Sequence, residues 1–278
     1  MKKRIIGLII VIAVFTLMVC LPKSFSPKEA TFFIIEKGEG SKDIATNLEK
    51  EGMVWWNHLF RAYVLVRGTS DKMQAGTYRI SPSMSIFTIA EKFASGQIAK
   101  ETITIPEGFT TEQIWEKLQA LPGYGEASDL AALEEFEGML FPDTYEIPYG
   151  LPLNQVIEIM IDNFWKKNEG LDTTHQAIVM ASILEKELRT REEREIASGI
   201  LWKRIKVGMP LQVDVDMWTY QHTGLPERPI CNPGLDSIEA ALNPQESPYW
   251  YYLSKPDGET VFSKTLDEHN IARAKYLK

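Results

Sequence analysis

Met180–Glu195, MASILEKELRTREERE, and the Leu211–Asp214 stretch LQVD decide how this chain reads. Ala177 to Leu184 is an unbroken run of apolar or small residues, so the helix it predicts must be buried on nearly every side. The run ends in Glu185-Lys186-Glu187, which puts acids beside a dry interior. Glu187 stands three and four residues beyond Leu184 and Ile183 and therefore shares their face. A carboxyl on such a face is partly desolvated and holds its proton near neutral pH, as general acid–base chemistry requires. The same spacing has a plainer meaning. Glu185 and Glu187 each precede an arginine by four residues, Arg189 and Arg191, and such pairs stabilise a solvated helix without any chemistry. From spacing alone both meanings stand.

Around this helix the pattern is that of a mixed α+β chain. Glu192–Ile205 predicts a second helix, closed by Gly208. In Leu211-Gln212-Val213-Asp214-Val215 apolar and polar residues alternate, which predicts a strand with Gln212 and Asp214 on one face. Cys231-Asn232-Pro233-Gly234 is turn chemistry. Strands follow at Tyr249–Leu253 and Thr260–Phe262, with a helix from Asp267 onward. Upstream, Asn154–Lys166 is amphipathic, Glu137–Tyr145 is turn-rich with Phe141 and Tyr145 read as core residues in preference to a sugar-stacking wall, and Ala127–Glu137 is an acidic helix after a loop at Leu121–Gly125. Three strand–turn–helix units come before these, with strands at Thr31–Ile35, Gly76–Ile80 and Thr102–Ile105. Their helix stripes run through Ile44 and Leu48, Ile89 and Phe93, and Ile114 and Leu118. Units this short cannot bury their own faces and are expected to pack together.

Composition narrows the function. With 278 residues, 44% of them hydrophobic, the chain can build one large or two modest cores. A net charge of −8 with no basic stripe excludes nucleic acid as an expected partner. Two cysteines make no disulfide framework, and His58, His175, His222 and His269 have no ligand spacing, so no metal is expected. No phosphate-cradling or nucleophile-elbow motif is present. Lys2-Lys3-Arg4 precede Ile5–Leu21, an uncharged run spanning about 26 Å as a helix. That predicts a single-pass transmembrane anchor over residues 1–22, in the inner (cytoplasmic) membrane, with the N-terminus cytoplasmic and the remainder outside after a linker at 23–29.

Several segments resemble the MltG (YceG-like) endolytic murein transglycosylase family. They are Ala75–Arg79, Glu107-Gly108, Phe141–Tyr145, Met180–Glu187, Gly208–Asp214, Gly224-Leu225-Pro226, Pro229–Gly234 and Glu268–Asn270, in the family's order over nearly the whole chain. The resemblance implies a LysM-like, glycan-binding domain at 30–105 and a YceG-like catalytic domain at 106–278. It implies lytic cleavage of the β-1,4 bond between N-acetylmuramic acid and N-acetylglucosamine in peptidoglycan, leaving 1,6-anhydro ends, with no cofactor. Penicillin-binding synthases are the implied protein partners. The family's catalytic acid is the second glutamate of Ala181-Ser-Ile-Leu-Glu-Lys-Glu187, hence Glu187. Gln212 and Asp214 match its cleft motif, and Asn232 and Asn270 stand in motifs that could reach sugar. The chain also departs from the family: the segment that members carry between Asp214 and Gly224-Leu225-Pro226 is missing, and Trp218 stands where an asparagine is usual. An anchored peptidoglycan-binding scaffold that has lost activity with that segment is the alternative from a different class. A hydrolytic glycosidase using the same Glu187 is a third.

Overall fold

The computed structural model describes residues 2–121, 124 and 127–277. The chain divides into two compact units, Met1–Glu101 with Glu146–Gly150, and Thr102–Tyr145 with Leu151–Lys278. It begins with α1 (Lys2–Cys20). Among the described residues no helix is long and apolar enough to cross a membrane, which overturns the expected transmembrane anchor. The physical reason lies at both ends of α1. Three charged residues open it and it stops at Cys20, so Ile5–Cys20 spans about 24 Å against a hydrocarbon core of about 30 Å. Its last turns belong to the protein: Val19 is 3% exposed within the first unit's core, and Phe15 packs against that core. The single-pass topology, the cytoplasmic-membrane location and the transmembrane part of the expected fold class are corrected accordingly. The mixed α+β character stands.

The first unit is built on β1 (Thr31–Ile35) and β2 (Gly76–Ile80), at the predicted bounds. They pair antiparallel, Thr31 opposite Ile80 and Ile35 opposite Gly76. Alternation turns Phe33, Ile35, Tyr78 and Ile80 inward, and all four are buried. Against them lie α2 (Ser41–Lys50), α3 (Asn57–Arg67) and α4 (Ile86–Ala94), contributing Ile44, Leu48, Phe60, Val64, Ile89 and Phe93 to one core. Ser85 caps α4 by accepting from the Thr88 N–H. The helix α3 was not anticipated.

β3 (Lys100–Thr104) and β4 (Thr144–Pro148) form a second two-stranded sheet, and the chain changes unit along both strands. The expected third repeat therefore does not join the other two: α5 (Thr111–Leu118), with a Thr110–Gln113 capping box, folds into the second unit. There α6 (Ala127–Glu134) ends three residues earlier than the expected Glu137. Of the expected loop at Leu121–Gly125, Pro122, Gly123 and Gly125 lie outside the described residues. Next come α7 (Leu153–Lys167), α8 (His175–Glu187) and α9 (Arg191–Lys206). Every residue of α8 from Ala177 to Leu184 is buried, as its composition predicts. It packs against α9 and against α11 (Leu235–Leu242), an unanticipated helix that follows the short α10 (Trp218–Gln221). β5 (Tyr251–Ser254) and β6 (Thr260–Ser263) form the last hairpin, beside α12 (Leu266–Tyr276).

Leu211–Val215 is not a strand, contrary to its alternation. The burial pattern survives, with Leu211 and Val213 buried and Gln212 and Asp214 exposed. The backbone partners are supplied otherwise: Thr219 accepts the Gln212 N–H on its carbonyl and the Val213 N–H on its hydroxyl, and Arg204 takes the Leu211 carbonyl. Gln212 adopts φ +53°, a left-handed conformation that L side chains rarely hold and that forbids a continuous strand.

Gly199 shows how closely the second unit is packed. A Cβ there would lie 2.0 Å from the Gln245 carbonyl oxygen, where the Gln245 N–H already binds the Glu195 carbonyl. Gly199→Ala gains about 1 kcal/mol of helix propensity yet must push this backbone away. We expect it to lower the melting temperature in thermal denaturation; an unchanged or higher value would show that the segment at Gln245 yields freely.

Candidate active site

The two acids at the end of α8 have opposite surroundings. Glu185 is almost fully buried and saturated. Its Oε1 receives Arg194 Nη2 at 2.8 Å, and its Oε2 receives the Gly234 N–H and the Ser237 hydroxyl, both at 2.9 Å. Arg194, equally buried, also donates Nε to the Leu188 carbonyl. The expected i,i+4 pairs with Arg189 and Arg191 do not form. Leu188 is extended (φ −133°, ψ 151°), so α8 stops at Glu187 and the two arginines lie beyond its surface. Arg191 instead begins α9 and pairs with Glu195 and Glu239.

Asn232 organises the loops beside this pair. It is completely buried, and its side-chain oxygen accepts the Gly138 and Leu140 N–H groups at 2.8 and 2.9 Å. Its amide nitrogen donates to the Phe109 carbonyl and to Glu137. All four hydrogen-bonding positions of the amide are thus spent inside the protein, so the structure gives Asn232 a scaffolding set of partners in place of open groups for sugar. Its backbone is tied to Gly108 and Phe109, which brings Glu107 against Gly234. A Cβ on Gly234 would lie 2.0 Å from the Glu107 carboxylate, so a larger residue there would displace the Glu107 side chain. Burial raises the proton affinity of both Glu107 and Glu137.

Glu187, two residues beyond Glu185, is half-buried and has no ion-pair partner among the described residues. Its Oε1 accepts the Val215 N–H at 3.2 Å. Burial lifts its proton affinity above the ordinary carboxylate range. The Val215 N–H opposes that, the Asp214 charge adds to it, and the Asp214 N–H opposes it weakly. Asp214 is exposed and accepts a hydrogen bond from the Tyr220 hydroxyl on α10. Burial, then that hydrogen bond, push the Tyr220 phenol up to about 12. Behind them Arg204 is buried, with its guanidinium spent on the Trp250 and Leu211 carbonyls. The α12 residue His269 stacks on Tyr251 with ring centroids 5.3 Å apart, and burial lowers its proton affinity.

Of the residues singled out from sequence, Glu187 and Asp214 are brought together, with Gln212 in the same loop as Asp214. Asn232 lies in the scaffold around Glu185, and Asn270 is exposed on α12, next to His269. Two neighbours of these acids went unread: Tyr220 and Arg204. Tyr220 carried a signal, since it falls in the shortened stretch after Asp214; a lone arginine carried none. The ensemble is a carboxyl whose proton affinity burial raises, beside the exposed Asp214 side chain, with Tyr220 and the buried Arg204 guanidinium around it. It suits proton donation to a polar substrate followed by proton recovery.

A model of the YceG-like family matches residues 33–217 and 218–275. The chain is 30% identical to an endolytic murein transglycosylase of Bacillus subtilis, covering 87% of this chain and 84% of that protein. It is 24% identical to an endolytic murein transglycosylase of Streptococcus pneumoniae, over 92% of this chain and 60% of that one. Among solved structures, a putative yceG-like protein of Listeria monocytogenes aligns with a TM-score of 0.54 and 26% identity, over 88% of this chain and all of that one.

The two acids are separable by stability. A carboxyl whose proton affinity is raised by folding favours the native state at pH values below its unfolded pKa, about 4.3. That contribution is lost as pH rises through the folded value. Glu187→Gln removes the cost of charging the site, so its melting temperature should exceed wild type at pH 8 and match it at pH 4. Glu185→Gln leaves the Arg194 guanidinium buried without its countercharge and should cost about 3–5 kcal/mol at neutral pH. Differential scanning calorimetry at both pH values checks the pair; the reverse ranking would exchange their roles.

Proposed function

This chain belongs to the YceG-like family, and from that premise we propose that it is an endolytic murein transglycosylase that cleaves peptidoglycan strands. The bond broken is the β-1,4 linkage from N-acetylmuramic acid to N-acetylglucosamine. Glu187, protonated at rest, gives its proton to the glycosidic oxygen as the C1–O bond breaks and an oxocarbenium-like centre forms. The resulting carboxylate takes the proton of the muramyl 6-hydroxyl, whose oxygen bonds to C1 and closes the 1,6-anhydro ring. The proton count balances and Glu187 ends as it began. One carboxyl serves both steps because the second nucleophile is the substrate's own, so neither metal nor organic cofactor enters.

The observation that carries this reading is the contrast at the end of α8. Glu185 is saturated by Arg194, Gly234 and Ser237, while Glu187 is desolvated and unpaired beside Asp214. In this reading Asp214, Gln212 and Asn270 bind the glycan, with Tyr220 fixing the Asp214 carboxylate. Asn232 acts at one remove, by holding Glu107–Phe109 and Gly138–Leu140 in place. Residues 30–105 serve as the LysM-like glycan-holding domain, with residues 106–278 as the catalytic domain. Penicillin-binding synthases remain the proposed partners.

The test is product analysis. The full chain is incubated with purified peptidoglycan and the products are read by mass spectrometry for 1,6-anhydromuramyl ends. Wild type should make them, and Glu187→Gln should lose about 10²–10⁴-fold of the rate. Activity should also fall on the alkaline side, as pH rises through the elevated Glu187 value. Equal cleavage by Glu187→Gln would remove the assignment; reducing ends would make the enzyme a hydrolase, and no cleavage by folded wild type would make it a binding protein.

A further inference from the structure

Tyr252 carries a group that the reaction as described leaves unused. It lies on β5 with Ser254 two residues on, so both side chains project from one face of the strand. The Ser254 hydroxyl donates to the Glu187 carbonyl at 3.3 Å, which turns that face toward the end of α8. The Tyr252 ring packs against the second unit's core. Its hydroxyl is buried and has no hydrogen-bond partner among the described residues. Native proteins rarely leave such a group unsatisfied without a use for it.

The surroundings say what the use is. Glu187, Arg204, Asp214 and Tyr220 all bear on the Tyr252 phenol, Glu187 most strongly among the charges. Further ionisable groups on this side are Tyr251 of β5 and His269 and Arg273 of α12. The donors nearby are committed: Arg204 to the Trp250 and Leu211 carbonyls, and Tyr220 to Asp214. Burial lowers the proton affinity of His269, and its Nδ1 has no partner among the described residues either. The Glu187 carboxyl itself has one hydrogen bond of normal geometry, from Val215 to Oε1. That is enough for a protonated acid. It is too little for a half-buried carboxylate, which Glu187 becomes once it has protonated the leaving oxygen.

We propose that Tyr252 is a positioning residue whose hydroxyl donates to the Glu187 carboxylate while its proton is away on the product sugar. The inference rests on the transglycosylase reading of the same site. In the resting enzyme the hydroxyl is unpaired because Glu187 holds its own proton. As the proton leaves, the hydrogen bond forms, and it dissolves when the 6-hydroxyl proton arrives. A bond absent at rest and present at the charge-separated stage lowers the barrier without tightening substrate binding.

Tyr252→Phe removes one oxygen and keeps the ring. In the full chain it should lower kcat about tenfold, leave KM nearly unchanged and move the alkaline limb of activity up by about one pH unit, since the carboxylate loses a stabilising donor. Its melting temperature should not fall, because an unsatisfied buried hydroxyl has been deleted. Independently of turnover, the Glu187 side-chain titration followed by ¹³C NMR should move upward in the variant. Unchanged kcat with an unchanged Glu187 titration overturns the proposal, and so does a rise in KM alone, which would make Tyr252 a sugar contact. If wild type yields no anhydro ends, the transglycosylase reading fails, and the Glu187 titration still decides whether Tyr252 acts on this carboxyl.

Discussion

The buried ion pair between Glu185 and Arg194 is the constraint on which the catalytic half of the molecule depends. It joins the end of α8 to the first turns of α9, and through the Gly234 N–H and the Ser237 hydroxyl it fixes the start of α11 as well. Two charges taken out of water repay their desolvation only when geometry is good and the remaining lone pairs are satisfied. Here both carboxylate oxygens have donors and the arginine also reaches the Leu188 carbonyl. The pair is a registry device more than a source of stability, since apolar residues of like volume would pack as well without fixing three helices at one point.

From that fixed point the second acid follows. Because Arg194 holds the Leu188 carbonyl, the chain leaves α8 in an extended conformation at once, and Glu187 becomes its last helical residue. A longer helix would have carried Arg189 and Arg191 onto the same surface and neutralised both acids. Termination withholds those partners from Glu187 and leaves it facing Val215 and Asp214. Two identical side chains, one intervening lysine apart, thereby acquire different chemistry. One is locked into an ion pair with Arg194, and burial raises the proton affinity of the other.

How much of this was legible in the sequence depended on whether the relevant partner was local. The run Ala177–Leu184 gave its burial, β1 and β2 gave their bounds, and Thr110 gave its cap, because each is set by residues within a turn or a pleat. The alternation at Leu211–Asp214 was real in burial and wrong in conformation, since the backbone found Thr219 and Arg204 instead of a neighbouring strand. The i,i+4 pair of Glu185 failed for the same reason, Arg194 nine residues away outcompeting Arg189, while Arg191 went to Glu195 and Glu239. Asn232 looked available because sequence shows a polar amide in a turn and does not show Gly138, Leu140, Phe109 and Glu137 converging on it. The basic cluster and the uncharged length of the N-terminal run pointed to an anchor, while Val19 and Phe15 had a core to join.

The crossing of the chain at β3 and β4 has a consequence for biosynthesis. The first unit is finished by Glu146–Gly150, which leave the ribosome after forty-odd residues of the second unit have already emerged. Those late residues are needed: Tyr149 stacks on Phe32 at 4.0 Å, its N–H binds the Ala99 carbonyl, and Glu146 pairs with Lys100. The nascent first unit must therefore wait with this edge unpaired, while the segment 102–145 hangs between its halves as a tethered loop. Closing such a loop costs entropy that grows only slowly with its length, so the delay is set by translation more than by the chain itself. The second unit thus begins before the first can close, unlike a simple string of beads, in which each domain closes before the next begins.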